Sequence, residues 1–535
     1  MKNLENHVFQ HCTAGLLPVL FLLITGCTGA NSEDSRNPPG AVETQAAESD
    51  DVRRPVPKDL SATVDALVEQ IMADELIPGA AVVVVKDGVT IHKRGYGVAD
   101  VASGRPVSTD NTLFRIGSIS KAFTAFALSY LMDTGKIAAD DPIEKYFPLP
   151  SKKSNNDWLD TPVRIWHLLT HTSGFDQIGI GRHIWDLEKT LDERHAARPS
   201  LTEFLRNDNL RRTSLPGQVF RYDTYGITLA GAILENVTGQ RYADAMHTNL
   251  FAPLGMRSTS VALDKRTRDK VAVGHGVVDE GYGLAPYEVY VTQPASSIDS
   301  TPADMARLLE ALTVPANNEK NPWLSSQAIT KLLAPQYRPH EGFPGITHGL
   351  HEYNLLDVSS RKPIRAIGHG GSMLGFQSSM MLVPELNLGI VVFANRNHEA
   401  GGERVSLNDQ INRAVVGSFF DGLPFAGFKS GKIQGGRDLS EYEDEYVYGV
   451  YCRTCSEEEF DAGGWKIGSP MTIQQRNALL HLRDHDYAPT ADPDVFTRTD
   501  GQNKIAFRRD EAGAIRSFSF FTSPDAFERL DGVEE

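Results

Sequence analysis

The chain is poor in cysteine, in long apolar runs and in clustered positive charge, and each shortage removes a class of protein. Four Cys in 535 residues cannot staple a small disulfide-rich scaffold. One strongly apolar run, near the N-terminus, excludes a polytopic helical membrane protein. Lys and Arg number 53 against 69 Asp and Glu, a formal net charge of −16. Nucleic acid or an anionic membrane surface as the main partner would need clustered basic residues, so neither fits. The rest is ordinary for a folded protein, with 41% hydrophobic and 23% charged residues. The length implies about two to four domains.

The apolar run, residues 16–24 (LLPVLFLLI), is too short to span a bilayer and suits the core of an export signal. It ends in Ile24-Thr25-Gly26-Cys27, which resembles the box at which a bacterial lipoprotein is cleaved and acylated. A plain signal peptide, or a buried strand with an incidental Cys, would produce the same run, and Glu5 beside Lys2 dilutes the basic flank of an export signal. The reading adopted is a lipoprotein signal peptide over residues 1–26, lipidation at Cys27, and a flexible tether over 27–57, a stretch with almost no large apolar side chains. The expected location is the bacterial cell envelope, lipid-anchored on the periplasmic side of a membrane.

Order begins near Lys58. Leu60, Val64, Leu67, Val68 and Ile71 recur at helical spacing, and Pro78-Gly79 stops the helix. Apolar runs at 80–85 and 89–95 flank Lys86-Asp87-Gly88, a hairpin signal. A second strand pair is predicted far away, at 378–383 and 388–394, followed by a helix that Ser406 opens. Between these ends the chain reads as helix and loop, including 118–134 and 224–238. Sheet at both ends with a helical middle predicts an α/β (α+β) domain over residues 58–425: an antiparallel sheet sandwiched by helices, with a helical insertion. Residues 426–438 read as a linker. Short β-like runs over 439–535 predict a small C-terminal all-β domain, a barrel or a sandwich.

Three stretches could carry chemistry. Ser118-Ile119-Ser120-Lys121 opens a helix that is apolar nearly all round, and such a helix is buried. Ser118 would sit where free N–H groups stabilise an anion. Lys121, three residues on, shares its face and could accept the Ser proton if burial lowered its pKa. Ser-x-x-Lys alone recurs by chance in a chain this long; its position raises it. Tyr222, in Arg221-Tyr222-Asp223-Thr224 at the entry to a second helix, could be another proton carrier or merely a packed turn residue. His369, Gly370, Gly371 and Ser372 precede the second strand pair, and glycines there would let a ligand carbonyl approach a backbone N–H, or would only make a tight loop.

Together these stretches resemble one family: class C serine β-lactamases, low-molecular-weight penicillin-binding proteins and related esterases and peptidases. Phe114 to Lys121 (FRIGSISK), 137–148 (IAADDPIEKYFP), 168–175 (LLTHTSGF) and 226–231 (GITLAG) strengthen the match, which spans roughly residues 60–425. The resemblance implies Ser118 as the nucleophile that becomes acylated, Lys121 and Tyr222 as proton carriers, and the N–H groups of Ser118 and Ser372 as an oxyanion hole. It implies that His369 stands where many relatives carry the Lys of a Lys-Thr-Gly triplet. The family's Tyr-x-Asn reads Tyr222-Asp223-Thr224 here, and Thr has one donor where Asn has two. That departure bears on β-lactam recognition more than on acyl transfer.

Other signals are weaker. Gly-x-Ser-x-Gly and His-Glu-x-x-His do not occur. His167 and His171 fall within LLTHTSGF and read as structural. Cys452 and Cys455 could form a disulfide after export, remain thiols, or join His481 and His485 in a zinc site.

The function expected is an exported serine hydrolase working through an acyl-enzyme on esters or peptide-like amides. A β-lactamase and a non-catalytic cell-wall binding protein are the alternatives. No metal and no organic cofactor is required. The expected partners are a small-molecule or cell-wall-derived acyl substrate and the membrane that takes the lipid anchor. Residues 175–215, with Ile178, Ile180, Ile184 and Trp185, are expected to wall the pocket.

Overall fold

Seven strands form one antiparallel sheet in the computed structural model, which describes residues 54–148, 161–176, 189–207, 212, 214–261, 263, 267–276, 283–314, 321, 323–356, 363–397, 406–420, 438–448, 471–499, 503–510, 512–520 and 526–529. The strands are β1 (Gly79–Lys86), β2 (Val89–Asp100), β3 (Arg105–Pro106), β4 (His351–Leu356), β5 (Pro363–Met373), β6 (Phe376–Val383) and β7 (Leu388–Ala394), in the order β3-β2-β1-β7-β6-β5-β4. The predicted hairpin joins β1 to β2. Its turn places Asp87 at φ 52° and Gly88 at φ 75°, the left-handed pair that a two-residue hairpin turn requires.

Strand β1 is buried on both faces, which is why it reads as an unbroken apolar run. Its side chains alternate between two cores. Ala80, Val82 and Val84 pack against helices α1 (Leu60–Asp74) and α5 (Leu407–Ser418), through Leu60, Val64, Val68, Leu407, Ile411 and Val415. Ser406 caps α5, its hydroxyl accepting the N–H of Asp409. Ala81, Val83 and Val85 join the opposite core, which holds helices α2 (Ile119–Asp133), α3 (Thr224–Thr238) and α4 (Pro302–Leu312). The apolar α2 lies at its centre. Phe123 and Phe126 have no exposed surface, and each contributes roughly 1.5–3 kcal/mol by burial. Its Thr124 hydroxyl reaches the carbonyl of Pro294 at 2.6 Å, as a buried donor must.

Residues 444–529 close an eight-stranded antiparallel barrel: β8 (Asp444–Tyr448), β9 (Met471–Arg476), β10 (Leu479–Leu482), β11 (His485–Pro489), β12 (Val495–Arg498), β13 (Lys504–Arg509), β14 (Ile515–Phe520) and β15 (Ala526–Arg529). Of the two architectures expected, the barrel is therefore the one adopted. Tyr442, Tyr446, Phe496, Phe507 and Phe518 fill its interior. Strands β11, β12 and β15 were not expected from the sequence. The barrel docks on the α/β lobe, where Val495 and Ala506 pack on Phe343.

No helix among the described residues is long and apolar enough to cross a membrane. The signal peptide, Cys27, most of the tether, all of the linker but Asp438, Cys452, Cys455, and the wall residues Ile178, Ile180, Ile184 and Trp185 lie outside the described residues.

Candidate active site

Strand Phe114–Arg115 leads into α2 through Ile116 and Gly117. Gly117 turns the chain at φ +53°, and Ser118 follows at the helix entrance. Ser118 is half-buried and makes no side-chain capping bond, so its hydroxyl is not committed to the helix. The glycines of β5 explain how a distant strand reaches this point. A Cβ on Gly371 would lie 2.0 Å from the Ile116 carbonyl oxygen, and one on Gly117 would lie 2.9 Å from the Ser372 nitrogen. The two backbones meet because neither residue has a side chain. Ser378 on β6 ties the same spot, its hydroxyl donating to the Ile116 carbonyl at 2.9 Å.

Lys121 lies one turn into α2, 1% exposed. Its Nζ is 3.3 Å from Ser118 Oγ and donates to the Ala295 carbonyl at 3.0 Å. Burial pushes the amine down to about 7, with Asp223 acting the other way. A substantial fraction is therefore neutral near pH 7, as a proton acceptor for Ser118 must be.

Tyr222 ends the loop before α3. Its ring centre is 4.7 Å from Lys121 Nζ, and the residue is half-buried. The next residue, Asp223, caps α3 by accepting the Gly226 N–H at 2.6 Å and also accepts the Ser173 hydroxyl. Thr224 opens the helix and is buried. His171 anchors the loop from beneath. Its carbonyl accepts the Arg221 N–H at 2.8 Å, and its Nδ1 accepts the Asp223 N–H at 3.0 Å. It holds these contacts at φ +57°, a costly conformation for a non-glycine residue. His167 likewise accepts a backbone N–H, from Arg164 at 2.9 Å. Both histidines thus have the structural contacts expected of them.

His369 lies on β5, its ring centre 5.9 Å from that of Tyr222. Across the sheet Gly368 pairs with His351 of β4, and the two imidazoles are 5.0 Å apart. Sequence reasoning gives His351 no place in this site: beside Glu352 it reads only as a zinc motif of the wrong order, and it lies 180 residues beyond His171. One ring nitrogen from each of His171, His351 and His369 falls within 4.8 Å of the others. Each Nε2 is buried with no hydrogen-bond partner among the described residues. The tautomers decide what this cluster offers. His369 Nδ1 contacts the Gly370 carbonyl at 2.5 Å and must donate, leaving Nε2 a lone pair. His171 Nδ1 accepts an N–H, so in the neutral ring its Nε2 carries the proton and offers no lone pair to a metal. The three rings therefore do not supply three Nε2 ligands. Burial drives all three below the usual imidazole range, His351 to about 4, and Lys121 adds to the effect.

Ser118, Lys121, Tyr222, His369, Gly371 and Ser372 are thus brought to one place, while Gly370 is exposed at its edge. In the barrel, His481 Nδ1 pairs with Asp486 at 2.8 Å.

Residues 64–412 match the beta-lactamase family model. A beta-lactamase of Yersinia enterocolitica is 25% identical over 366 residues, covering 63% of this chain and 87% of that one. In three dimensions the chain resembles SurE, with a TM-score of 0.61 and 19% identity over 88% of this chain and 99% of that one. It also resembles the octameric penicillin-binding protein homologue from Pyrococcus abyssi, with a TM-score of 0.53 and 21% identity over 87% and 99%. Both structural likenesses extend across the fold at low identity and speak to the fold alone. With the family model matched over well over half its length, the chain belongs to the beta-lactamase family, whose fold is hydrolase-like.

Proposed function

We propose that this protein is a serine acyl-hydrolase that forms an acyl-enzyme on Ser118 and acts on esters or peptide-like amides. One observation carries the reading: the amine of Lys121, held near 7 by burial, is 3.3 Å from the Ser118 hydroxyl. The neutral amine takes the Ser118 proton as Oγ bonds to the substrate carbonyl carbon. The N–H groups of Ser118 and Ser372 receive the developing oxyanion. The carbonyl then re-forms, the bond to the leaving oxygen or nitrogen breaks, and the proton passes to that atom through Lys121 and Tyr222. Water repeats the sequence on the acyl-enzyme and releases the acid. His369 orients the substrate or tunes Tyr222. The chemistry calls for no metal and no organic cofactor.

Thr224 and His369, in place of the family's Asn and Lys, favour ester or amide substrates over β-lactams. Cell-wall-derived acyl compounds and small esters are the substrate classes to try, in a protein exported and lipid-anchored through Cys27. The test is to treat the folded protein with a fluorophosphonate probe and with penicillin, locate any adduct by mass, and compare turnover of a p-nitrophenyl ester with that of a chromogenic cephalosporin. An adduct on Ser118 with faster ester turnover supports the reading. Faster cephalosporin turnover reassigns the enzyme as a β-lactamase. No adduct in well-folded protein leaves a cell-wall binding role instead.

A further inference from the structure

The barrel takes no part in the chemistry above, yet it grips the loop that carries Tyr222. Arg508 on β13, Ser517 on β14 and Glu528 on β15 are successive cross-strand partners. Direct partners share one face of a sheet. The neighbouring row, Phe507, Phe518 and Phe527, fills or packs against the barrel interior, so the Arg508 row faces outward, toward the α/β lobe. At one end, Arg508 donates to the Tyr337 hydroxyl at 2.6 Å, and that hydroxyl donates to the Gln218 carbonyl at 3.1 Å. At the other end, one carboxylate oxygen of Glu528 accepts from Arg221 Nε at 2.9 Å and from Nη2 at 2.5 Å. Arg221 is 3% exposed and Glu528 4%.

Arg221 immediately precedes Tyr222. Its backbone is fixed by His171 on the inner side, and its guanidinium by the barrel on the outer side. The apolar contact of Phe343 with Val495 and Ala506 already holds the two parts together. A buried ion pair adds little net adhesion beyond such contacts. What it does add is direction, because two N–H groups converging on one oxygen set the guanidinium's orientation.

The geometry points to Glu528 as a positioning residue for Tyr222: by holding Arg221 from outside the lobe, the barrel fixes the phenol against Lys121. This rests on the acyl-transfer reading above. The test uses the full chain with E528Q and the double variant R221M/E528L. It measures kcat and KM for a p-nitrophenyl ester, the thermal midpoint, and hydrogen–deuterium exchange of residues 215–226 and of α2. In E528Q, kcat is expected to fall about 10- to 100-fold with KM little changed. Exchange over 215–226 is expected to quicken about tenfold while α2 keeps its protection. The double variant removes both charges and is expected to regain the wild-type midpoint but not the wild-type kcat. A role in adhesion alone predicts that midpoint and kcat return together, which would overturn the proposal. So would a kcat for E528Q equal to wild type. If the wild-type protein takes no adduct and turns over no ester, the acyl-transfer reading fails. Exchange over 215–226 then decides the clamp by itself, and unchanged exchange in E528Q rejects it.

Discussion

Gly371 and Ile116 meet backbone to backbone: a Cβ on the glycine would lie 2.0 Å from the isoleucine's carbonyl oxygen. The substitution G371A must therefore push β5 away from the segment that leads into Ser118. We expect it to cost about 1–3 kcal/mol of stability and to lower turnover by about 100-fold. At Gly370 the nearest atom to an added Cβ is 4.0 Å away, so G370A should leave the unfolding midpoint unchanged. Urea denaturation of the two variants side by side makes the comparison.

Ser118 sits at a helix entrance without capping it. S118A is therefore expected to change stability by less than about 0.5 kcal/mol while lowering ester turnover by about a thousandfold or more. A melting curve and a p-nitrophenyl ester assay suffice. Loss of stability comparable to a true cap removal would contradict a hydroxyl that does not cap the helix.

Lys121 links activity and stability to pH. Its amine is held near 7 in the fold and near 10.5 in the unfolded chain. Between those values the unfolded chain binds the extra proton, so stability rises with pH across the window and the burial cost is fully felt below it. The slope is at most about 1.4 kcal/mol per pH unit, and K121M should flatten it. In kinetics, kcat/KM should climb through pH 7. K121R, whose guanidinium stays charged, should lose turnover by about a thousandfold.

His351 works in the opposite range. Burial holds it neutral down to about 4, while an unfolded imidazole takes its proton near 6.5. Its contribution is complete above 6.5 and is lost as pH falls toward 4. H351Q should remove about one proton's worth of the acid-side slope, measured by denaturation at pH 7, 6 and 5. An unchanged slope would show that the ring is not buried neutral.

Local features were legible in the sequence. Asp87-Gly88 specified its turn, the all-round apolarity of 119–133 specified a central helix, and the i, i+3 spacing put Lys121 over Ser118. The parts that were not legible are long-range. The pairing of β1 with β7, Ala80 against Ala394, leaves no periodic trace in either segment. His351 enters the site only because β4 pairs with β5. Strand β15 escaped notice because it is four residues long and alternates an inward ring with a charge, Phe527 and Glu528, which reads as a polar loop until its neighbours are known.

That alternation has a consequence for how the barrel can vary. One residue added within β15 would turn a carboxylate into the oily interior and offer a phenyl ring to a guanidinium, whereas two would restore the parity of the strand. Length changes here are tolerable only in even steps, so this strand carries a hidden arithmetic set by an arginine some three hundred residues upstream.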